Sequence, residues 1–169
     1  MTLTLDLVPS STWYDNLRSR IKPPAWDCLR KATYAAAGHK CEVCGGKGHK
    51  WPVECHEIWD YNESKRVQRL AGLVALCPSC HEVKHFGRAQ TVGRGRAALA
   101  HLMKVNRWTE AQAWEHINES FRVWERRSSI NWTLDLSWLD RPEPKSAPCP
   151  PLLPHVREPA GEHRREEKP

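Results

Sequence analysis

The sequence predicts a small α+β domain clamped by zinc, with flanking helices and short terminal strands, and three observations carry that prediction. Two Cys-x-x-Cys pairs, Cys41/Cys44 and Cys77/Cys80, bracket a segment that carries His56. Between them, residues 53–58 read as a strand and 66–76 as an irregular or strand-like approach to Cys77. On both sides of this segment the apolar residues recur at helical spacing. At 169 residues the chain is long enough for one domain and a tail. The expected division is a single domain over 1–140 with a motif core at 41–85, an N-terminal strand and helix within 1–38, helices within 94–126 and a strand at 131–138, then a tail at 141–169.

Each element has its own signal. Leu3, Leu5 and Leu7 alternate along residues 2–8, and Trp132, Leu134, Leu136 and Trp138 alternate along 131–138. Both segments read as short strands, and pairing them would bring the ends of the domain together. Residues 24–37 place Trp26, Leu29, Ala32 and Ala36 on one helical face, with two prolines before and Gly38 after as start and stop signals. Cys41-Glu-Val-Cys44-Gly45-Gly46 follows as a metal knuckle, its glycines supplying the positive φ of the turn. Residues 47–52 read as loop and 60–65 as a polar turn between the two strands. A short helix from Ser79 to near Gly87 carries His81 and His85. A further helix fits 94–105, and Thr109-Glu-Ala-Gln112 is a capping box that opens a helix to about residue 126. Trp13, Trp26, Trp59, Trp108, Trp114, Trp124, Trp132 and Trp138 read as core. The tail holds most of the 13 prolines and little apolar periodicity, which predicts disorder.

The cysteines point to metal. Two short turns aim four thiolates at one centre, and with ligands about 2.3 Å from the ion this is the usual set for a structural tetrahedral zinc. A redox role for a Cys-x-x-Cys would need a thioredoxin-like context that the sequence lacks. The histidines then remain for other chemistry. His81 and His85 are one helical turn apart, and the strand at 53–58 can bring His56 opposite them. Three imidazoles with open positions form a catalytic cation site rather than a structural one. Glu54, Asp60 and Glu63 lie nearby as reserve carboxylates for that site, and otherwise read as solvated surface groups.

The net charge of +6 and sequence pI of about 9.0 fit a polyanionic partner. The excess is local: Lys84, His85, Arg88, Arg94, Arg96, Lys104 and Arg107 fall in residues 84–107, which contain no acid. A solvated face usually mixes both signs, so this segment predicts phosphate contact through Lys84, Arg88, Arg94 and Arg96. No apolar run approaches the roughly 18 residues of a membrane helix. The opening residues lack a basic region followed by a long apolar one. Together these predict a cytoplasmic protein with no membrane partner.

Cys41-x-x-Cys44-Gly45, then Glu54-Cys55-His56-Glu57-Ile58, then Leu76-Cys77-Pro78-Ser79-Cys80-His81 with His85 resembles the HNH endonuclease family in its zinc-containing form. The resemblance covers residues 41–85. It implies a ββα-metal core that holds one divalent cation, such as Mg2+, Mn2+, Ni2+ or Zn2+, over a phosphate. It places His56 at the family's first metal position and His81 and His85 at the metal histidines of the helix. The residue after the first ligand, a histidine base in that family, is Glu57 here, and the asparagine that orients this base falls at about Gly72. An asparagine that positions a histidine has no task once the histidine is gone. The implied function is a metal-dependent HNH-like endonuclease acting on DNA, with Glu57 as the base; as a fourth cation ligand beside the three histidines, Glu57 would instead close the site. The alternative is a catalytically inactive, zinc-stabilised module that binds nucleic acid or acts as an adaptor.

Overall fold

The computed structural model describes residues 1–14 and 16–140, so the expectation of a Pro-rich tail lies outside the described residues. The architecture is mixed α+β. Helix α1 (Leu17–Arg20) and helix α2 (Pro23–Ala36) precede a hairpin of β1 (Glu54–Asn62) and β2 (Val67–Leu76). Helices α3 (Pro78–Lys84), α4 (Phe86–Thr91), α5 (Gly95–Asn106) and α6 (Glu110–Ser128) follow, and β3 (Thr133–Asp135) closes the sheet.

The sheet has the order β1-β2-β3. Strands β1 and β2 are antiparallel, with Glu54 opposite Leu76 and Ile58 opposite Gly72. The register then shifts so that Trp59 faces Leu70, a bulge that increases the local twist. Two clusters pack on this hairpin. Val74, Leu76, Leu3, Leu5, Val83, Phe86, Leu102, Ala113 and Ile117 fill one, between the sheet, the N-terminal segment and helices α3 to α6. Trp59, Leu70, Leu17 and Leu29 form the other, under α1 and α2. Side chains along a strand alternate between faces, so His56 and Glu57 leave β1 on opposite sides.

Three expectations change. Residues 2–8 form no strand and do not pair with the C-terminal one; β3 runs parallel to β2 instead, with Val67 opposite Thr133. The alternation at the N-terminus still has its effect, because Leu3 and Leu5 are buried. Their backbone groups are satisfied by side chains rather than by a neighbouring strand. Asn106 accepts from the Leu3 N–H at 2.8 Å and donates to the Leu3 carbonyl at 2.7 Å, and the Leu5 N–H donates to His116 Nε2 at 3.2 Å. The N–H of Asp6 reaches the Lys84 carbonyl at 3.0 Å.

The helix expected from Ser79 to Gly87 is two helices, broken at His85, whose φ of −98° and ψ of 44° are not helical. The tryptophans also sit differently. Of the eight read as core only Trp59 is buried, while Trp13 is 59% and Trp114 38% exposed. An indole must place its N–H on an acceptor, which draws the ring to the rim of the core. Trp124 and Trp132 donate to the Val8 and Arg127 carbonyls at 3.0 and 2.9 Å. Among the described residues, no helix is long and apolar enough to cross a membrane.

Candidate metal centres

The first centre is the cysteine cluster. The knuckle closes on itself through Gly45 N–H to the Cys41 carbonyl at 2.8 Å and Cys41 N–H to the Gly46 carbonyl at 2.9 Å, with Gly45 at φ +72°. It is tied to β2 twice, by Glu42 N–H to the Ala75 carbonyl at 2.9 Å and by Ala75 N–H to Glu42 Oε2 at 2.6 Å. Cys77 follows β2 and occupies the N-cap position of α3, and Pro78 opens that helix at its first position. The sulfurs of Cys41, Cys44, Cys77 and Cys80 all lie within 4.8 Å of one another, and those of Cys44 and Cys77 are 3.7 Å apart. A tetrahedral zinc would place its sulfurs about 3.8 Å apart, so these four cysteines could hold a zinc ion.

The four thiols do not share one environment. Hydrogen bonding from Cys80 pulls the Cys41 thiol down to about 4, and the same contact pushes Cys80 up. Burial pushes Cys77 up to about 11. A divalent cation takes its cysteines as thiolates, so its binding here would release the protons these sulfurs carry without it. His101 of α5 places Nε2 3.2 Å from Cys80 Sγ, where an imidazole N–H stabilises a thiolate. Cys55 stands outside the cluster, its thiol pushed up to about 11 by burial, and is an inert core residue.

The second centre is the histidine cluster. His56, His81 and His85 each bring one ring nitrogen within 4.8 Å of the other two. Strand β1 presents His56, which is 5% exposed, towards α3, and its ring centroid lies 5.3 and 5.0 Å from those of His81 and His85. His81 and His85 face each other Nε2 to Nε2 at 3.2 Å. Three nitrogens about 2.1 Å from a tetrahedral ion would be about 3.4 Å apart, which this pair approaches. Burial lowers His81 and pushes His85 down to about 3, with its histidine neighbours opposing the charge further. At neutral pH both rings are therefore neutral and keep a lone pair for a cation.

Carboxylates surround these rings. Asp6 places Oδ2 3.2 Å from His56 Nε2, and Glu54 Oε2 pairs with His81 Nδ1. Glu54 is therefore no free surface carboxylate, contrary to its sequence reading. Asp60 pairs with Arg69 at 2.9 Å and Glu63 with Arg126 and Arg127, so those two are surface ion pairs. Glu57 lies on the opposite face of β1, 14% exposed, with Oε1 3.9 Å from Arg18 Nε. Burial raises its pKa while the Arg18 guanidinium pulls it back. Arg18 is fixed in turn by stacking 4.6 Å from the Trp26 ring centroid. Gly72 faces Ile58, and a Cβ added there would meet Ile58 Cδ1 at 3.9 Å, so this position accommodates a side chain.

The four basic residues are not equivalent. Lys84 is half-buried, donates to Thr4 Oγ1 at 3.1 Å, and has its pKa lowered by burial. Arg94 pairs with Glu82 at 2.6 Å, whereas Arg88 and Arg96 are exposed. Sequence reasoning missed Asp6, Arg18, Trp51 and His101. Asp6, Arg18 and His101 are far along the chain from the groups they touch, so no local spacing marks them. Trp51 donates its indole N–H to Glu54 Oε1 at 2.7 Å, three residues away, and that short spacing was the one usable signal.

No family model, no curated protein and no solved structure matches this chain.

Proposed function

We propose that the chain is an HNH-like, metal-dependent endonuclease that hydrolyses phosphodiester bonds in DNA, held together by a structural zinc on Cys41, Cys44, Cys77 and Cys80. The observation that carries this reading is the convergence of His56, His81 and His85 on one point beside, but separate from, the thiolate cluster. The order of hairpin and helix that delivers them supports it. These histidines could hold a divalent cation, which would supply Lewis-acid polarisation of a phosphate and charge stabilisation for a departing 3′ oxygen. His56, His81 and His85 would hold it through ring nitrogens, and Glu57, once turned from Arg18 and the opposite face of β1, would take the proton from the attacking water. A free glutamate is a weak match to neutral pH, and burial improves that match by raising the pKa of Glu57. Arg88 and Arg96 are exposed for phosphate contact, which positions DNA without reading its sequence.

One observation favours a second reading, a zinc-stabilised module that binds nucleic acid without cleaving it. Glu57 is engaged by Arg18 on the other face of β1, and no imidazole stands in its place. Cleavage of supercoiled plasmid with added magnesium, manganese or nickel separates the two. The nuclease reading expects nicking by the wild type and its loss in His81→Ala and Glu57→Gln with zinc content retained. Salt-dependent DNA binding with no nicking under any of these cations supports the binding module and rejects the nuclease.

A further inference from the structure

Both ring nitrogens of His81 are committed. Nε2 faces His85 Nε2 at 3.2 Å, and Nδ1 meets Glu54 Oε2. The other oxygen of that carboxylate is taken as well, because the Trp51 indole N–H donates to Oε1 at 2.7 Å. An indole N–H only donates and a carboxylate only accepts, so the donor in the Glu54–His81 contact is Nδ1–H. Imidazole carries one proton when neutral, which leaves the lone pair on Nε2. Facing that lone pair at 3.2 Å, His85 Nε2 donates an N–H to it in one tautomer and joins it on a cation in the other.

The loop that supplies Trp51 is itself locked. Gly48 N–H donates to the Pro52 carbonyl at 2.9 Å, closing residues 48–52 into a turn. A Cβ at Gly48 would lie 2.2 Å from the Trp51 carbonyl oxygen and 2.5 Å from Pro78 Cδ, so the turn is pressed onto the first residue of α3. Only glycine allows this approach. The same helix carries His81, so the turn fixes Trp51 relative to the ring that Glu54 must hold.

We propose that Trp51 and Glu54 form a relay that sets His81 in its Nδ1–H tautomer and aims its Nε2 lone pair into the histidine cluster, making Glu54 a positioning residue for the cation site. Its purpose rests on the cation reading given under the proposed function, but its geometry does not. A carboxylate behind a ligating imidazole orients the ring and raises its basicity, and loss of such a partner typically weakens cation affinity by about 10- to 100-fold. Trp51→Phe removes one donor and leaves the carboxylate, so its effect is smaller. Because both side chains act through one contact, the double variant Trp51→Phe/Glu54→Ala should be no worse than Glu54→Ala alone.

Long-range 1H–15N NMR on the zinc-loaded full chain, with no second cation added, reads the tautomer directly. The wild type is expected to show His81 protonated at Nδ1 and bare at Nε2. Glu54→Ala should shift His81 towards the Nε2–H form, Gly48→Ala and Trp51→Phe partly so, with zinc content and thermal midpoint as checks of folding. A wild-type His81 protonated at Nε2, or a spectrum unchanged in Glu54→Ala, overturns the relay. Manganese titration of the same samples then separates the two claims. A wild type that binds no manganese at the histidines counts against the cation site, while the tautomer result stands alone. If it binds, a manganese affinity equal in Glu54→Ala and wild type overturns the positioning role.

Discussion

At Glu57 two opposed influences meet: burial disfavours the carboxylate and raises its pKa, while the Arg18 guanidinium favours it. A general base works deprotonated, so the cleavage rate should rise with pH through the pKa of Glu57. Removing Arg18 takes away the lowering influence, so in Arg18→Ala the acidic limb of the pH–rate profile should move to higher pH, which a stopped assay across buffers would show. An unmoved limb would mean that Glu57 is not the base. The histidines give the complementary expectation. Since burial holds His85 down to about 3 and lowers His81, protons compete less for these two rings than for exposed imidazoles. Cation affinity measured by calorimetry should fall less steeply as pH drops through the ordinary histidine range near 6.5 than it would for a site of exposed histidines. His56, His81 and His85 were legible because ligand spacing on a strand and a helix turn is local. Asp6 and Arg18 were not, since only folding brings them beside His56 and Glu57.

The elements were legible where a period or a cap fixes them, and less so where tertiary partners decide. Thr109 accepts from the Gln112 N–H at 3.3 Å and Gln112 Oε1 accepts from the Thr109 N–H at 2.9 Å, the capping box the sequence announces. Replacing Thr109 with Ala should cost about 1 kcal/mol in chemical denaturation. The alternation of Leu3, Leu5 and Leu7 correctly marks a buried side but not a strand, because Asn106, His116 and the Lys84 carbonyl satisfy the backbone of residues 3–6. Asn106→Ala would strip two partners from Leu3, a buried residue, and leave its N–H and carbonyl unpaired. A loss of about 1–3 kcal/mol is expected, together with faster amide exchange confined to the N-terminal segment. A change spread over α6 instead would mean that the segment is not a separate unit. The break between α3 and α4 at His85 was invisible in sequence, since Phe86 and Ala89 continue an apolar pattern across it while packing into the same core.

Across the whole molecule, two clusters of metal-ligating side chains share helix α3 but differ in chemistry. Cys80 and His81 are neighbours, so the same first turn serves a thiolate cluster and an imidazole cluster. The thiolates fix where the helix starts, and the helix fixes where the imidazoles point. A chelator that removes zinc should therefore abolish cation binding at the histidines and release α3 from β2, seen as a joint loss of near-UV dichroism and of manganese affinity. Independent loss of the two would show that the centres are not coupled. Of the four phosphate contacts proposed in the basic stretch at 84–107, Arg88 and Arg96 stand exposed and outside an ion pair with Glu82 or a hydrogen bond to Thr4. The central claim is that one fold holds a closed thiolate zinc and an open imidazole cation site. It is tested most directly by anomalous scattering from crystals of the zinc-loaded protein soaked in manganese. The account predicts a zinc peak enclosed by the sulfurs of Cys41, Cys44, Cys77 and Cys80, and a separate manganese peak about 2.2 Å from nitrogens of His56, His81 and His85. Manganese absent from the histidines, or found elsewhere on the surface, would contradict it.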